Sequence, residues 1–425
     1  MGTTKAVRLY GKNDLRLEEF ELPSINDDEI LAKVVSDSIC MSSYKAAHQG
    51  PEHKRVPDDV AENPVMIGHE FSGEIVSVGR NWQHKFHPGQ KYSIQPAIYN
   101  PEGPLGVMSS PGYTYPFIGG DATYIIIPKD VLSQDCLLPY YGDGFYLASL
   151  AEPLSCVIGA MHANYHTTPG SYIHEMEIVQ GGKMALLAAA GPMGLAAINY
   201  IIYREDRKPS LLIVTDIDQD RLDRASLILP PSMAAARGIE LVYLNTASLD
   251  DPVGSIKQLS GGNGFDDVFV FAPVPSVIEQ GDAILGRDGC LNFFAGPSNP
   301  NFTARLNFYN IHYAATHIVG TSGGNTADMI EALDYMTKGF DPAGLITHIG
   351  GLDAVIDTTL NLPDIPGGKK LIYTHKKLPL TPLADFAEKG KTDPLFEYLA
   401  YIIAKTNGLW SVEAERFLLE NAPEI

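Results

Sequence analysis

One stretch restricts the possible folds of this chain more than any other: MALLAAAGPMGLAAINYIIY, residues 184–203. A short apolar run enters a turn of small residues, and apolar residues then continue at helical spacing, the pattern of a strand feeding directly into a helix. In register the turn is Ala189-x-Gly191-x-x-Gly194, with Pro192 and Met193 between the glycines. Gly191 lets backbone approach an anion closely, and Gly194 lets the helix pack against the strand. The helix start offers unpaired N–H groups and the positive end of a dipole. Alanine stands where a first glycine is usual, which a tight turn tolerates if φ stays negative. Such turns are common packing features, so the motif needs support from its surroundings.

The surroundings supply it. LLIVTDID, LVYLNT, DDVFVFAP and GCLNFFAGP follow as buried strand patterns separated by helical runs such as PSVIEQGDAIL. Apolar strands alternating with helices imply an α/β fold whose parallel sheet is covered on both faces. Asp216 ends the first of these strands, LLIVTD, near the ~20-residue spacing of an acid that grips an adenosine ribose. Alone it reads equally well as a turn acid; with the glycine turn it implies a dinucleotide site preferring NAD. Arg221 and Arg224, folded back toward the ribose, would soften that preference and admit NADP.

Upstream, from Lys5 to about Pro128, the texture is different. KAVRLY, LRLEEFEL, EILAKVVSDS, GEIVSVG and DATYIIIP alternate polar and apolar residues between turn signals, which predicts a β domain. A chain of 425 residues exceeds one ordinary core. The expected division is a β domain over 1–155, a nucleotide-binding α/β domain over 156–325 and a last segment over 326–425. In that last segment, Asp393-Pro394 opens one tail helix and Ser411 caps another. The net charge of −20 argues against nucleic-acid partners, which demand Lys/Arg to neutralise phosphates. No apolar run is long enough to span a membrane and no signal-peptide core precedes the first strand. Four scattered cysteines fit a reducing, cytoplasmic setting.

Three separate segments carry candidate metal donors. DSICMSSYK offers Cys40, with Ser42 and Lys45 close behind; PVMIGHEFSGEIVSVG offers His69 and Glu70; ASLAEPLSC offers Glu152. A thiolate, an imidazole and carboxylates form a zinc set, although each residue alone is more often structural. Gly68 and Gly73 flank the His-Glu pair and would permit the irregular turn that lets both neighbours face one ion.

Taken together, GHEFSGEIVSVG, AEPLS, GPMGLAA and VTDID resemble the zinc-containing medium-chain alcohol/polyol dehydrogenases over Lys5 to about Tyr373. The resemblance implies a GroES-like β domain joined to a Rossmann domain, with Cys40, His69 and Glu152 as zinc ligands and Glu70 binding directly or just behind. The carboxylate at Glu152 points to the sorbitol-dehydrogenase-like branch. Members often carry four close cysteines for a second zinc; Pro96 to Gly120 has none, so one zinc per chain is expected. Ser42 is then expected to exchange a proton with the substrate, and Lys45, where many relatives have histidine, either relays it or anchors a phosphate.

With the missing cysteines and the long tail, HANYHTTPGSYIHEMEIVQGGK and NFYNIHYAATHIVGTSGGN most resemble members of the family that reduce L-sorbose 1-phosphate to D-glucitol 6-phosphate, which implies that substrate. Lys45, His48, His53, Lys54 and Arg55 are candidate phosphate anchors, with Arg305 and His312 as others. A non-phosphorylated polyol substrate, a metal-free reductase and a non-catalytic nucleotide-binding protein are the competing readings. The family resemblance also implies a homodimer or homotetramer.

Overall fold

The computed structural model describes residues 2–425. The chain separates into two compact units, one formed by residues 1–152 with 325–425, the other by 153–324.

The second unit is built on a six-stranded parallel sheet. Its strands run, across the sheet, Glu240–Asn245, Leu211–Asp216, Lys183–Leu187, Phe265–Val270, Leu285–Phe293 and His317–Gly320. Numbered from Lys183–Leu187, that is the order 3-2-1-4-5-6, with the reversal of strand order beside the first strand. Ligands of such sheets bind at the carboxyl ends of strands next to that reversal. Ile213, Val214, Val268 and Leu291 are fully buried, as a sheet covered on both faces requires.

The first unit is centred on an eight-stranded, mostly antiparallel sheet. The long strand Ile30–Ile39 pairs with Phe71–Val78 on one side and Lys369–Tyr373 on the other, all antiparallel. Residues far apart in sequence thereby become neighbours: Ser38 lies opposite Leu371 and Asp37 opposite Phe71. The two glycines around His69-Glu70 act differently from one another. Gly68 has φ +91° and makes the turn, whereas Gly73 is inside the strand, where a Cβ would lie 1.8 Å from the Lys33 carbonyl oxygen. Gly73 therefore serves close strand packing at a register shift, not the turn.

The tail folds onto the first unit. Helix Pro394–Ala404 is capped by Asp393 and helix Val412–Asn421 by Ser411, whose side chains accept from Leu395 and Ala414 N–H. Phe396, Leu399, Trp410 and Leu418 are buried, and Trp410 packs against Tyr373 and Phe386. Among the described residues, no helix is long and apolar enough to cross a membrane.

Candidate active site

The candidate metal donors Cys40, His69 and Glu70 sit at the ends of two of the strands just described. Cys40 leaves strand Ile30–Ile39 and caps helix Met41–Gln49, its backbone extended at φ −115°. His69 and Glu70 occupy the turn before Phe71–Val78, and the Ser38 N–H donates to the Glu70 carbonyl at 3.0 Å. One donor atom from each of Cys40, His69 and Glu70 falls within 4.8 Å of the others. Ligand atoms around a tetrahedral zinc stand roughly 3.5 Å apart, so the spacing suits one such ion.

Each donor is held by specific neighbours. Ser42 Oγ is 3.1 Å from both Cys40 Sγ and His69 Nε2. Ser43 Oγ lies 3.2 Å from His69 Nδ1, and Tyr113 Oη sits across the ring edge, 3.0 Å from Nδ1 and 3.2 Å from Nε2. Glu70 is 1 % exposed and bridged by Lys369 Nζ, at 2.5 Å to Oε1 and 2.6 Å to Oε2; Ser38 Oγ donates to Oε2 as well. Glu152, in the first turn of helix Ala151–Ala163, lies outside the group of three, yet its carboxylate is electrostatically coupled to His69, Glu70 and Cys40.

Burial governs the charges. It pushes the Cys40 thiol up, aided by Glu70, and raises Glu152 to about 7. It lowers His69 despite Glu152 and Glu70, which favours the neutral imidazole that a metal binds. Burial would raise Glu70 too, but Lys369 and His69 outweigh it and hold Glu70 below its ordinary value. Behind Glu70, burial raises Asp37, aided by Asp121 and Glu70, and takes Asp121 to about 7, so burial disfavours charge on both acids. With Cys40, Glu70 and Glu152 ionised, three anions face one ammonium, an excess equal to the charge of one divalent cation. The donor set therefore fits zinc on chemistry as well as on spacing.

The remaining candidates distribute as follows. Lys45 is half-buried on the helix that carries Ser42, and its charge reaches His53. His53 stacks on Tyr113 at 5.8 Å and Arg55 lies 6.0 Å over the same ring. His48 and Lys54 are exposed, and His48 Nδ1 is 3.2 Å from Asn13 Oδ1. Arg305 and His312 are exposed residues of the other unit.

In that unit, Gly191 caps helix Pro192–Tyr203, and nothing lies within 4 Å of where its Cβ would stand, an open cradle for an anion. Gly194 is obligatory, since a Cβ there would meet the Ala189 carbonyl oxygen at 1.9 Å. The positive φ of the turn falls on Ala188, at +55°, and Ala189 does not share it. Asp216 Oδ2 accepts from Ala190 N–H at 3.1 Å, while Oδ1 accepts from Ile217 and Asp218 N–H. Arg221 pairs with Asp218 at 3.4 Å and so is turned toward its own helix start. Lys369 and Tyr113, both at the heart of the metal site, carry no motif and were not among the candidates read from the sequence.

Comparison with known proteins completes the description. Residues 26–137 match the alcohol dehydrogenase GroES-like domain and residues 211–338 the zinc-binding dehydrogenase family. Over 421 residues, 99 % of this chain and 98 % of the relative, it is 52 % identical to mannitol-1-phosphate 5-dehydrogenase of Aliivibrio fischeri. The chain belongs to the zinc-binding medium-chain dehydrogenases. This dehydrogenase is also 51 % identical to L-sorbose 1-phosphate reductase of Klebsiella pneumoniae, over 100 % of this chain and 99 % of that one. The solved 2R,3R-butanediol dehydrogenase of Bacillus subtilis shares its fold, with TM-score 0.67 over 87 % of this chain and 99 % of the other at 20 % identity.

Proposed function

We propose that this dehydrogenase interconverts a phosphorylated hexitol and its ketose phosphate with zinc and NAD(H), and that L-sorbose 1-phosphate, reduced to D-glucitol 6-phosphate, is a substrate. One observation supports the phosphate: the charges of Lys54, Arg55 and Lys45 all act on His53, whose ring stacks on the Tyr113 that also contacts His69. Burial, together with those three cations and His69, lowers His53 to about 4, so they act on one small region. In a chain of net charge −20, an anionic substrate needs such a local cluster. The relatives from Aliivibrio fischeri and Klebsiella pneumoniae are both named for a phosphorylated sugar or polyol, though not the same one.

Bound to Cys40, His69 and one of the two glutamates, zinc would supply Lewis-acid polarisation of the substrate oxygen, and the nicotinamide the hydride. Ser42 hydrogen-bonds that oxygen and exchanges the proton with it. Its distances of 3.1 Å to Cys40 Sγ and to His69 Nε2 support this role. Lys45, one helical turn on, hands the proton to solvent or holds the phosphate. Lys369 keeps Glu70 ionised, and the Asp216 carboxylate favours NAD by repelling a 2′-phosphate.

The test compares initial rates on L-sorbose 1-phosphate and L-sorbose with NADH and NADPH. A charge-assisted hydrogen bond is worth roughly 1.5–3 kcal/mol, so the phosphate ester should lead by about a hundredfold in kcat/KM. Arg55→Ala should remove about tenfold of that lead and leave L-sorbose unaffected. Equal efficiency on the two sugars would reject the phosphate reading.

A further inference from the structure

The tail beyond the family's usual span contains a buried acid that the proton and hydride chemistry does not use. Glu415, on helix Val412–Asn421, is 2 % exposed. Its Oε2 accepts from Phe145 N–H at 2.7 Å, and its Oε1 accepts from Tyr146 N–H at 2.8 Å and Tyr373 Oη at 2.9 Å. Tyr373 Oη in turn accepts from Trp410 Nε1 at 2.7 Å, so the tail grips this tyrosine twice.

The two segments it joins are those that lead to the acidic donors. Phe145 and Tyr146 open helix Phe145–Ser149, which runs through Leu150 into Ala151 and Glu152. Tyr373 ends the strand Lys369–Tyr373, whose first residue is the partner of Glu70. The far side of helix Phe145–Ser149 is fixed as well: Ser72 Oγ donates to the Phe145 carbonyl at 2.6 Å and Ser149 Oγ lies 2.5 Å from Ser36 Oγ. With the sheet holding one side, Glu415 supplies the hold on the other.

We propose that Glu415 is a positioning residue for the dehydrogenase reaction, clasping the segment that leads to Glu152 to the strand that carries Lys369. The tail is then part of the metal site's support. The proposal rests on the zinc reading above, with Glu152 as the glutamate that binds and Glu70 beside it, and is independent of which sugar is reduced. A buried acid kept only for cohesion could be replaced by an apolar side chain; one accepting two main-chain N–H groups and a hydroxyl cannot, because each donor would be orphaned.

The test is a double-mutant cycle on the zinc-loaded full chain, read in two ways. Zinc release to a chelator is followed without substrate, and kcat and KM are measured with D-glucitol 6-phosphate and NAD. Glu415→Gln presents an amide N–H2 to one of the two main-chain donors. It should speed zinc release about tenfold and lower kcat about tenfold, with KM little changed. In a Glu152→Gln background the acceleration should vanish, because the positioned donor is already gone. Tyr373→Phe, which removes one of the three donors and risks folding less, should move both readouts the same way by about threefold. Wild-type zinc release in both variants, or an equal acceleration with and without Glu152, would overturn the proposal. An inert wild-type enzyme on every sugar phosphate would instead defeat the substrate reading, while zinc release still judged this one.

Discussion

The nucleotide turn and the metal site hold their groups in opposite ways. The turn is assembled from one continuous piece of chain between Lys183 and Asp216, pinned by main-chain N–H groups: that of Ala189 donates to the Thr215 carbonyl and that of Ala190 to the Asp216 carboxylate. The metal site draws Cys40, His69, Glu70, Glu152 and Lys369 from separate segments and buries their charges together. Charges in a low-dielectric interior depend on one another, so removing one leaves the others uncompensated. Main-chain donors at a helix start are fixed by the fold and tolerate the loss of a neighbour better.

The contrast breaks most sharply at the donors. Cys40→Ala should cost turnover about a thousandfold, the equivalent of the several kcal/mol that a metal contributes to the transition state. Elemental analysis should find the zinc lost in parallel. Next comes Lys369→Met, which strands the Glu70 carboxylate in the core and should lower unfolding stability by about 3 kcal/mol. Denaturant titration would show it, and Glu70→Gln added to that variant should restore most of the loss. Recovery is the informative half, since simple cavity formation would not be relieved.

The nucleotide turn should respond more mildly. Asp216→Ala should raise the KM for NADH by about tenfold, leave kcat within about twofold, and improve the NADPH to NADH efficiency ratio. A collapse in kcat as large as that of Cys40→Ala would show that the two sites do not differ in the way described.

The smallest effect concerns pH. Burial raises Glu415 to about 7, outweighing its hydrogen bonds to Tyr146, Phe145 and Tyr373 and the more distant charge of Lys91; Tyr140 and Asp341 also face this region. The folded chain thus binds more protons than the unfolded one between the ordinary carboxyl value and about 7. Stability from this group is complete below that window and is lost as pH rises through about 7. The Tm of wild type should fall by a few degrees more than that of Glu415→Gln between about pH 6 and 8.

Legibility in the sequence follows the same contrast. The strand, turn and helix at 184–203 announce themselves because their signals are contiguous and residue-specific. Residue type and order single out Cys40, His69 and Glu152 as candidate donors; the structure groups Cys40 and His69 with Glu70, and nothing in their spacing reveals how Glu70 is held. Its partner Lys369 sits in GGKKLIYT, where a lysine reads as an ordinary strand-end residue. The signal available was a lysine beside a fully apolar strand, which burial forces to find an acid. Glu415 hid similarly in VEAERFLLENA: it falls on the helix face of Ala414 and Leu418, where an acid is out of place unless it has partners. In the preceding helix the apolar residues Phe396, Leu399 and Ile402 are buried within their own unit, while Tyr398 and Tyr401 stay exposed.

The account stands on one divalent ion balancing this buried cluster. The most direct measurement is zinc per chain against the rate of ketose-phosphate reduction during stepwise chelation. The prediction is one zinc per chain at the start, a rate falling in proportion as it is withdrawn, and recovery when zinc is returned. Full activity in protein freed of zinc would contradict it.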